Sequence, residues 1–339
     1  MSAVRQVVPL GAQWPGIDPF LFAVHHRDEF PPADGQTMRP AASLEGRSIG
    51  QDFSGKDGWS MYHGDTVPGF PQHPHRGFET VTVVLEGVVD HTDSLGAAAR
   101  FGHGDTQWLT AGAGISHSEM MPLLADDAPN PLELFQIWLN LAPEDKSAQP
   151  YFDMFWAEDT PVVVRGEKGA EARFRVIAGE LDGVSPLAPP PNSWAARPEN
   201  HLAIWIVTLD PGVSTELPAF DPAAGRVLYN YGGGLIVDGQ TLGYDAAVLA
   251  PEAVTVTAGD DGAAFLILQA RPIGAPVVQQ GPFVGNTRED IIAAMDDYRA
   301  GVFGQWDLPS NGPVHAHDEG RFARYPDGTE KRPVGSTQA

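Results

Sequence analysis

The chain has 339 residues, no cysteine, and 44 acidic against 21 basic side chains, for a formal net charge of −23. Without cysteine there are no disulfides, thiolate metal ligands or cysteine nucleophile, and the negative charge opposes direct contact with nucleic acid or anionic membranes. The length allows two domains with separate cores, and 38 Gly with 31 Pro suit a turn-rich β protein better than a helical one. Residues 1–20 lack a basic start followed by an apolar run, so no signal peptide is expected. No apolar run reaches the ~18 residues of a membrane span. A cytoplasmic protein is the expectation.

In chain order, residues 4–10 and 21–26 read as short strands, the second stopped by Pro31-Pro32. His25 and His26 are consecutive, so a strand sends them to opposite faces and they make no ligand pair. Residues 39–69 are polar and Gly-rich, a long loop in which Trp59 and His63 are expected mainly to anchor packing.

The stretch from Gly69 to Met121 organises the rest. It opens on His73-Pro74-His75-Arg76-Gly77-Phe78-Glu79 and closes on His117-Ser118-Glu119. Each end carries two potential ligands two residues apart, which an extended strand places on one face. Two such strands side by side would bring His73, His75, His117 and Glu119 to one point. Three imidazoles and a carboxylate suit Fe, Mn, Ni, Cu or Zn, with positions left open on an octahedral ion. Glu79 shares the strand parity of His73 and His75, so on spacing alone it is a second candidate carboxylate. Between the pairs, residues 81–85, 88–91 and 105–109 read as strands separated by Gly turns, the pattern of an antiparallel barrel or jelly roll.

Residues 132–141 alternate apolar and polar side chains and form a strand with one buried face. Residues 142–150 read as an interdomain linker, and residues 151–156 as a packing segment between barrels. Strands at 203–209, 225–231, 234–239 and 264–269 suggest a second barrel. From Pro122 to Pro313 the one histidine is His201, so one metal site per chain is expected. Asn286 is the expected cap of a short helix, with Glu289 in the reciprocal position and Ile291, Met295 and Tyr298 on its buried face. The polar tail, residues 305–339, carries His315 and His317 but no second ligand pair, and is expected to pack loosely.

At these residues the chain resembles a known family. His73-Pro-His-Arg-Gly-Phe-Glu-Thr-Val81, Leu85-Glu86-Gly87, Asp93-Ser-Leu-Gly96, Gln107-Trp108, Thr110-Ala-Gly112 with Gly114, and His117-x-Glu119 match the pirins, two-barrel members of the cupin superfamily. Gln280-Gly-Pro-Phe-Val284 and Asn286-Thr287 match a second pirin signature. The resemblance implies an all-β bicupin with a short C-terminal helix. The corresponding division is a metal-binding barrel at 1–145, a metal-free barrel at 146–285, the helix at 286–304 and the tail at 305–339. It also implies a non-haem iron(II) site on His73, His75, His117 and Glu119, with Glu79 orienting a ligand imidazole. Some bacterial pirins act on flavonols such as quercetin. That implies a dioxygenase using a small enolic chelating substrate and dioxygen, with Glu119 as general base. Phe70 and Arg76 flank the ligand pair, where they either shape the entrance of a substrate pocket or serve loop packing and surface salt bridging. Other pirins are redox-responsive regulators, which implies a protein partner instead.

Overall fold

A computed structural model of the chain describes residues 2–334. It is built almost wholly from antiparallel strands, with one α-helix, Arg288–Arg299. None of its helices is long and apolar enough to cross a membrane.

The chain divides into two compact units, each discontinuous in sequence. The first comprises His25–Gln136, Pro143–Glu158 and Pro276–Ala339; the second comprises Met1–Val24, Ile137–Ala142 and Asp159–Ala275. This corrects the consecutive division expected from sequence. The N-terminal strand Val4–Pro9 leaves the first barrel because it pairs with Asp245–Leu249. Residues 151–156 are no interdomain segment either. Strand Tyr151–Phe155 pairs antiparallel with Asp105–Thr110, and Phe152, Met154 and Trp156 enter the first core.

In the first unit one sheet runs Phe322–Arg324, Ala98–Gly102, Val88–Asp93, Ile115–Met120, Gly69–His75. A second contains Tyr151–Phe155, Asp105–Thr110 and Phe78–Glu86 in that order. Both faces of Phe78–Glu86 and Asp105–Thr110 are buried, so each strand presents one side-chain row to each face. Phe30, Trp59, Phe101, Leu109 and Leu134 are among the core residues, and burying each such side chain is worth roughly 1.5–3 kcal/mol. Trp59 lies in this core with the Arg47 guanidinium 3.5 Å above its ring, the anchoring role expected of it.

Parts of the tail are held more firmly than expected, with Phe322 and Ala323 buried, although most of its side chains stay at the surface. Phe322–Arg324 pairs with Ala98–Gly102. The buried Arg100, held by Asp90 through two bonds of 2.7 and 2.8 Å, also donates to the carbonyls of His315, Ala316 and Glu319. His315 and His317 are engaged by backbone carbonyls. Residues 335–339 of the expected tail lie outside the described residues.

The helix is capped one residue later than expected. Thr287 accepts from the Asp290 amide while Asp290 returns a bond to the Thr287 amide. Ile291 and Ala294 form its buried face with Phe283 and Phe303, whereas Tyr298 is 37% exposed.

The second unit has one large sheet in which Gly225–Val237 and Val254–Ala270 are the long central partners. Its core includes Phe174, Trp205, Leu228, Leu235, Phe265 and Ile267.

Candidate metal centre

The site begins with a pairing of strands. In the antiparallel pair Gly69–His75 and Ile115–Met120, His73 stands opposite His117. Directly opposed residues share a face, and a step of two along each strand adds His75 and Glu119 to it. The register is not uniform. From Phe70/Glu119 to His73/His117 one strand advances three residues and the other two. The extra residue is a bulge, and it turns His73 toward His117.

The three imidazole rings form a compact triangle, with centroids 4.7 Å apart for His73–His75, 4.4 Å for His73–His117 and 4.8 Å for His75–His117. One nitrogen from each lies within 4.8 Å of the others. That is about half an ångström beyond the ~4.2 Å spanned by two opposed ligands at about 2.1 Å from one ion. His117 is fully buried, yet neither Nδ1 nor Nε2 has a hydrogen-bond partner. Leaving buried polar atoms unsatisfied costs about 1–3 kcal/mol, so the arrangement fits an ion as the missing partner. His73 Nδ1 lies 2.9 Å from the Pro71 carbonyl and must donate to it, which leaves Nε2 with its lone pair free.

Burial keeps all three rings neutral. It lowers His73, against the opposing pull of Glu119 and the Pro71 carbonyl. It pushes His75 and His117 well below the usual histidine value, and the neighbouring imidazoles add to the effect; at His75 the Pro282 carbonyl opposes it. Neutral imidazoles have lone pairs ready for a metal.

Glu119 is buried beside this triangle. Its Oε2 is 3.8 Å from His117 Nε2, too long for a hydrogen bond. Gln136 Nε2 donates to Oε2 at 2.8 Å and Thr82 Oγ1 donates to Oε1 at 3.3 Å. Glu79 is placed differently. The strand ends at His75, and Gly77, at φ 85°, turns the chain into Phe78–Glu86, so strand parity does not carry from His75 to Glu79. Glu79 accepts from Thr110 Oγ1 at 2.6 Å, its cross-strand partner.

The turn after His75 is held from far along the chain. The Arg76 amide donates to Pro282 and its carbonyl accepts from Val284. Lys146 Nζ donates to the Gly77 carbonyl at 2.8 Å. A Cβ on Gly77 would lie 2.0 Å from the Val284 carbonyl, and one on Gly114 would enter the Phe303 ring. The second signature therefore braces the first. The Arg76 side chain faces Asp297, at 2.5 Å, and Phe303, rather than the imidazoles. Of the two readings of Arg76, the geometry favours salt bridging over a place beside a substrate, because its guanidinium is committed to the helix. Phe70 does stay at the site. It lies 6.4 Å from the His73 ring, stacks on Tyr62 at 5.2 Å, and has His63 and Phe53 as further neighbours.

Three site residues went unnoticed in the sequence. Thr82 and Gln136 are polar side chains in buried strands, among apolar neighbours and other polar ones such as Thr80 and Asn140, so their pattern alone did not single them out. His91 is fully buried, opposite Glu119, with its ring 5.3 Å from His117 and Nε2 3.3 Å from Asp93; a lone histidine in a strand offers no signal either.

Comparison with known proteins gives the family. The Pirin family model matches residues 3–139, and the Pirin C-terminal cupin domain matches residues 204–304. A Pseudomonas aeruginosa protein named as a candidate quercetin 2,3-dioxygenase is 36% identical over 242 residues, covering 70% of this chain and 81% of its own. Pirin-like protein 2 of Arabidopsis thaliana is 33% identical over 285 residues, covering 80% and 81%. A solved structure of quercetin 2,3-dioxygenase from Acinetobacter baumannii aligns with a TM-score of 0.68 at 26% identity, covering 90% of this chain and 96% of that one. The fold is the all-β bicupin expected from the sequence, and the chain belongs to the pirin family.

Proposed function

We propose that this pirin is a metal-dependent dioxygenase acting on a flavonol such as quercetin, or on a similar enolic chelator, with iron(II) as its metal. The observation that carries the reading is the buried triangle of imidazoles with the Glu119 carboxyl group beside it. His73, through Nε2, with His75 and His117 would hold the ion, and Glu119 lies near enough to join them. A bound metal supplies open positions that activate dioxygen and an enolate together. Glu119 takes the substrate hydroxyl proton as general base. Gln136 and Thr82 fix the plane of its carboxylate and leave lone pairs for that proton. Phe70, stacked on Tyr62, offers a flat apolar wall suited to an aromatic ring system. The choice of quercetin comes from relatives named for that activity.

The test is elemental analysis of the purified protein together with oxygen uptake over quercetin and other enolic chelators. One equivalent of iron per chain, and oxygen consumed in step with quercetin loss, are expected. Iron-loaded protein that consumes no oxygen with any of these substrates would overturn the dioxygenase in favour of a regulator.

A further inference from the structure

The second unit has a cavity of its own, of about 900 Å³, lined in part by Trp205, Phe220, Arg226 and Gln269. It caps the core. Arg226 precedes Leu228 by two residues and Gln269 follows Ile267 by two, so both extend rows that otherwise fill the core with apolar side chains. Arg226 and Gln269 are also direct cross-strand partners.

Arg226 is 1% exposed. Its Nε and Nη2 donate to Gln269 Oε1 at 2.8 and 2.5 Å, and Nη1 donates to the Pro218 carbonyl at 2.7 Å. The Phe220 and Trp205 rings lie 4.3 and 5.6 Å from the guanidinium. Every one of these acceptors is neutral, and two of the five N–H donors remain without an acceptor. The chain's other buried arginines are matched: Arg47 bonds Asp52 at 2.9 Å and Arg100 forks onto Asp90. A chain with 44 acidic residues thus leaves this buried arginine without a carboxylate among the described residues. An uncompensated buried charge is costly unless something else supplies the counter-charge.

We propose that this cavity binds an organic monocarboxylate with a flat, apolar body, whose carboxylate accepts from the two free N–H groups of Arg226. The planar guanidinium matches a carboxylate fork. A single charge fits because Arg226 offers one pair of free N–H groups, while the other charges of the lining, Arg197 against Glu180 and Asp221, leave no positive excess to hold a second. Asp221 is itself occupied by Arg271 and His201. The apolar body follows from Trp205, Phe220 and the proline-rich wall.

The probe is 2-naphthoate, titrated calorimetrically into the purified full-length protein, with 2-naphthamide and inorganic phosphate as comparisons. Naphthoate is expected to bind one per chain, and naphthamide and phosphate at least about tenfold more weakly, because neither supplies a single charge on an apolar body. Arg226→Gln should lose at least about tenfold in naphthoate affinity while keeping its circular dichroism and melting profile. Equal binding of naphthoate and naphthamide, tighter binding of phosphate, or no binding of naphthoate overturns the site, even if Arg226→Gln fails to fold. Unchanged affinity in a folded Arg226→Gln overturns it too. So does a binding heat that vanishes when a chelator strips the metal, since that assigns the carboxylate to the histidine cluster.

Discussion

The two units are built from similar antiparallel strands, and what separates them chemically is how the polar side chains are placed within their inward rows. In the first, the rows around the site carry His73, His75, His117 and Glu119: neutral lone pairs and one negative charge, an environment for a cation. In the second, the corresponding statement is Arg226 with Gln269: donors and one positive charge, an environment for an anion. The lesson is that a β framework, once its core is apolar, tolerates either sign of site at a row's end. A few residues choose which, and family membership alone does not.

The comparison breaks most severely at the imidazoles. His117→Ala should lower metal affinity by more than the roughly 10–100-fold that changes beyond the ligands usually cause. The folded spectrum should survive, because the apolar cores lie elsewhere. Full metal occupancy by elemental analysis of the purified variant would count against the centre.

Next come the carboxylates. Glu119→Gln should slow oxygen uptake with quercetin by about 10²–10⁴-fold, the usual worth of a general base. Glu79→Gln should keep its metal, with affinity reduced by roughly 10–100-fold. If Glu79→Gln empties the site and Glu119→Gln does not, the roles of the two residues are reversed.

Gln136→Ala sharpens the comparison by removing one donor from Glu119 Oε2. The carboxylate then loses the bond that fixes its orientation, so oxygen uptake with quercetin should fall by about tenfold with metal occupancy unchanged. Unchanged turnover would mean that Gln136 only fills space.

A last effect, on stability alone, concerns a buried acid of the first unit. Burial raises Asp28 to about 6, against hydrogen bonds from the Tyr62 hydroxyl at 2.6 Å and the Ser60 amide at 2.9 Å. Between the unfolded and folded values the native state keeps a proton that the unfolded chain has released. This stabilising contribution is complete below about pH 4 and is lost as pH rises through about 6. Relative to Asp28→Asn, wild-type stability should thus fall by at most about 3 kcal/mol between about pH 4 and pH 7. Denaturant unfolding of both proteins across that range checks it, and a constant difference would refute it.

Much of the first unit was legible before any coordinates. Spacing of two along a strand put His73 with His75 and His117 with Glu119, because side-chain direction alternates locally and needs no knowledge of the partner. The strands at 81–85, 88–91 and 105–109 followed from apolar alternation and Gly turns. The absence of cysteine, and of a second histidine pair between Pro122 and Pro313, already led to the expectation of one transition-metal site.

Other features depend on segments that meet only in the folded chain. The bulge between Phe70 and His73 is a property of two strands in register, not of either one. Gln136 reaches Glu119 across 17 residues of sequence, and Phe303 lies where a side chain on Gly114 would have to go. The break at Gly77 removed the parity argument for Glu79, since a positive φ ends the alternation on which the argument rests. The tail looked loose because its charge and turn formers are local traits. What holds it is Arg100, more than 200 residues earlier, whose donors reach the carbonyls of residues 315, 316 and 319. Period and composition decide which residues form strands and which side chains share a face. Register, closure and long-range pairing decide which of those faces meet, and so where the ligands converge and which charges are left unmatched.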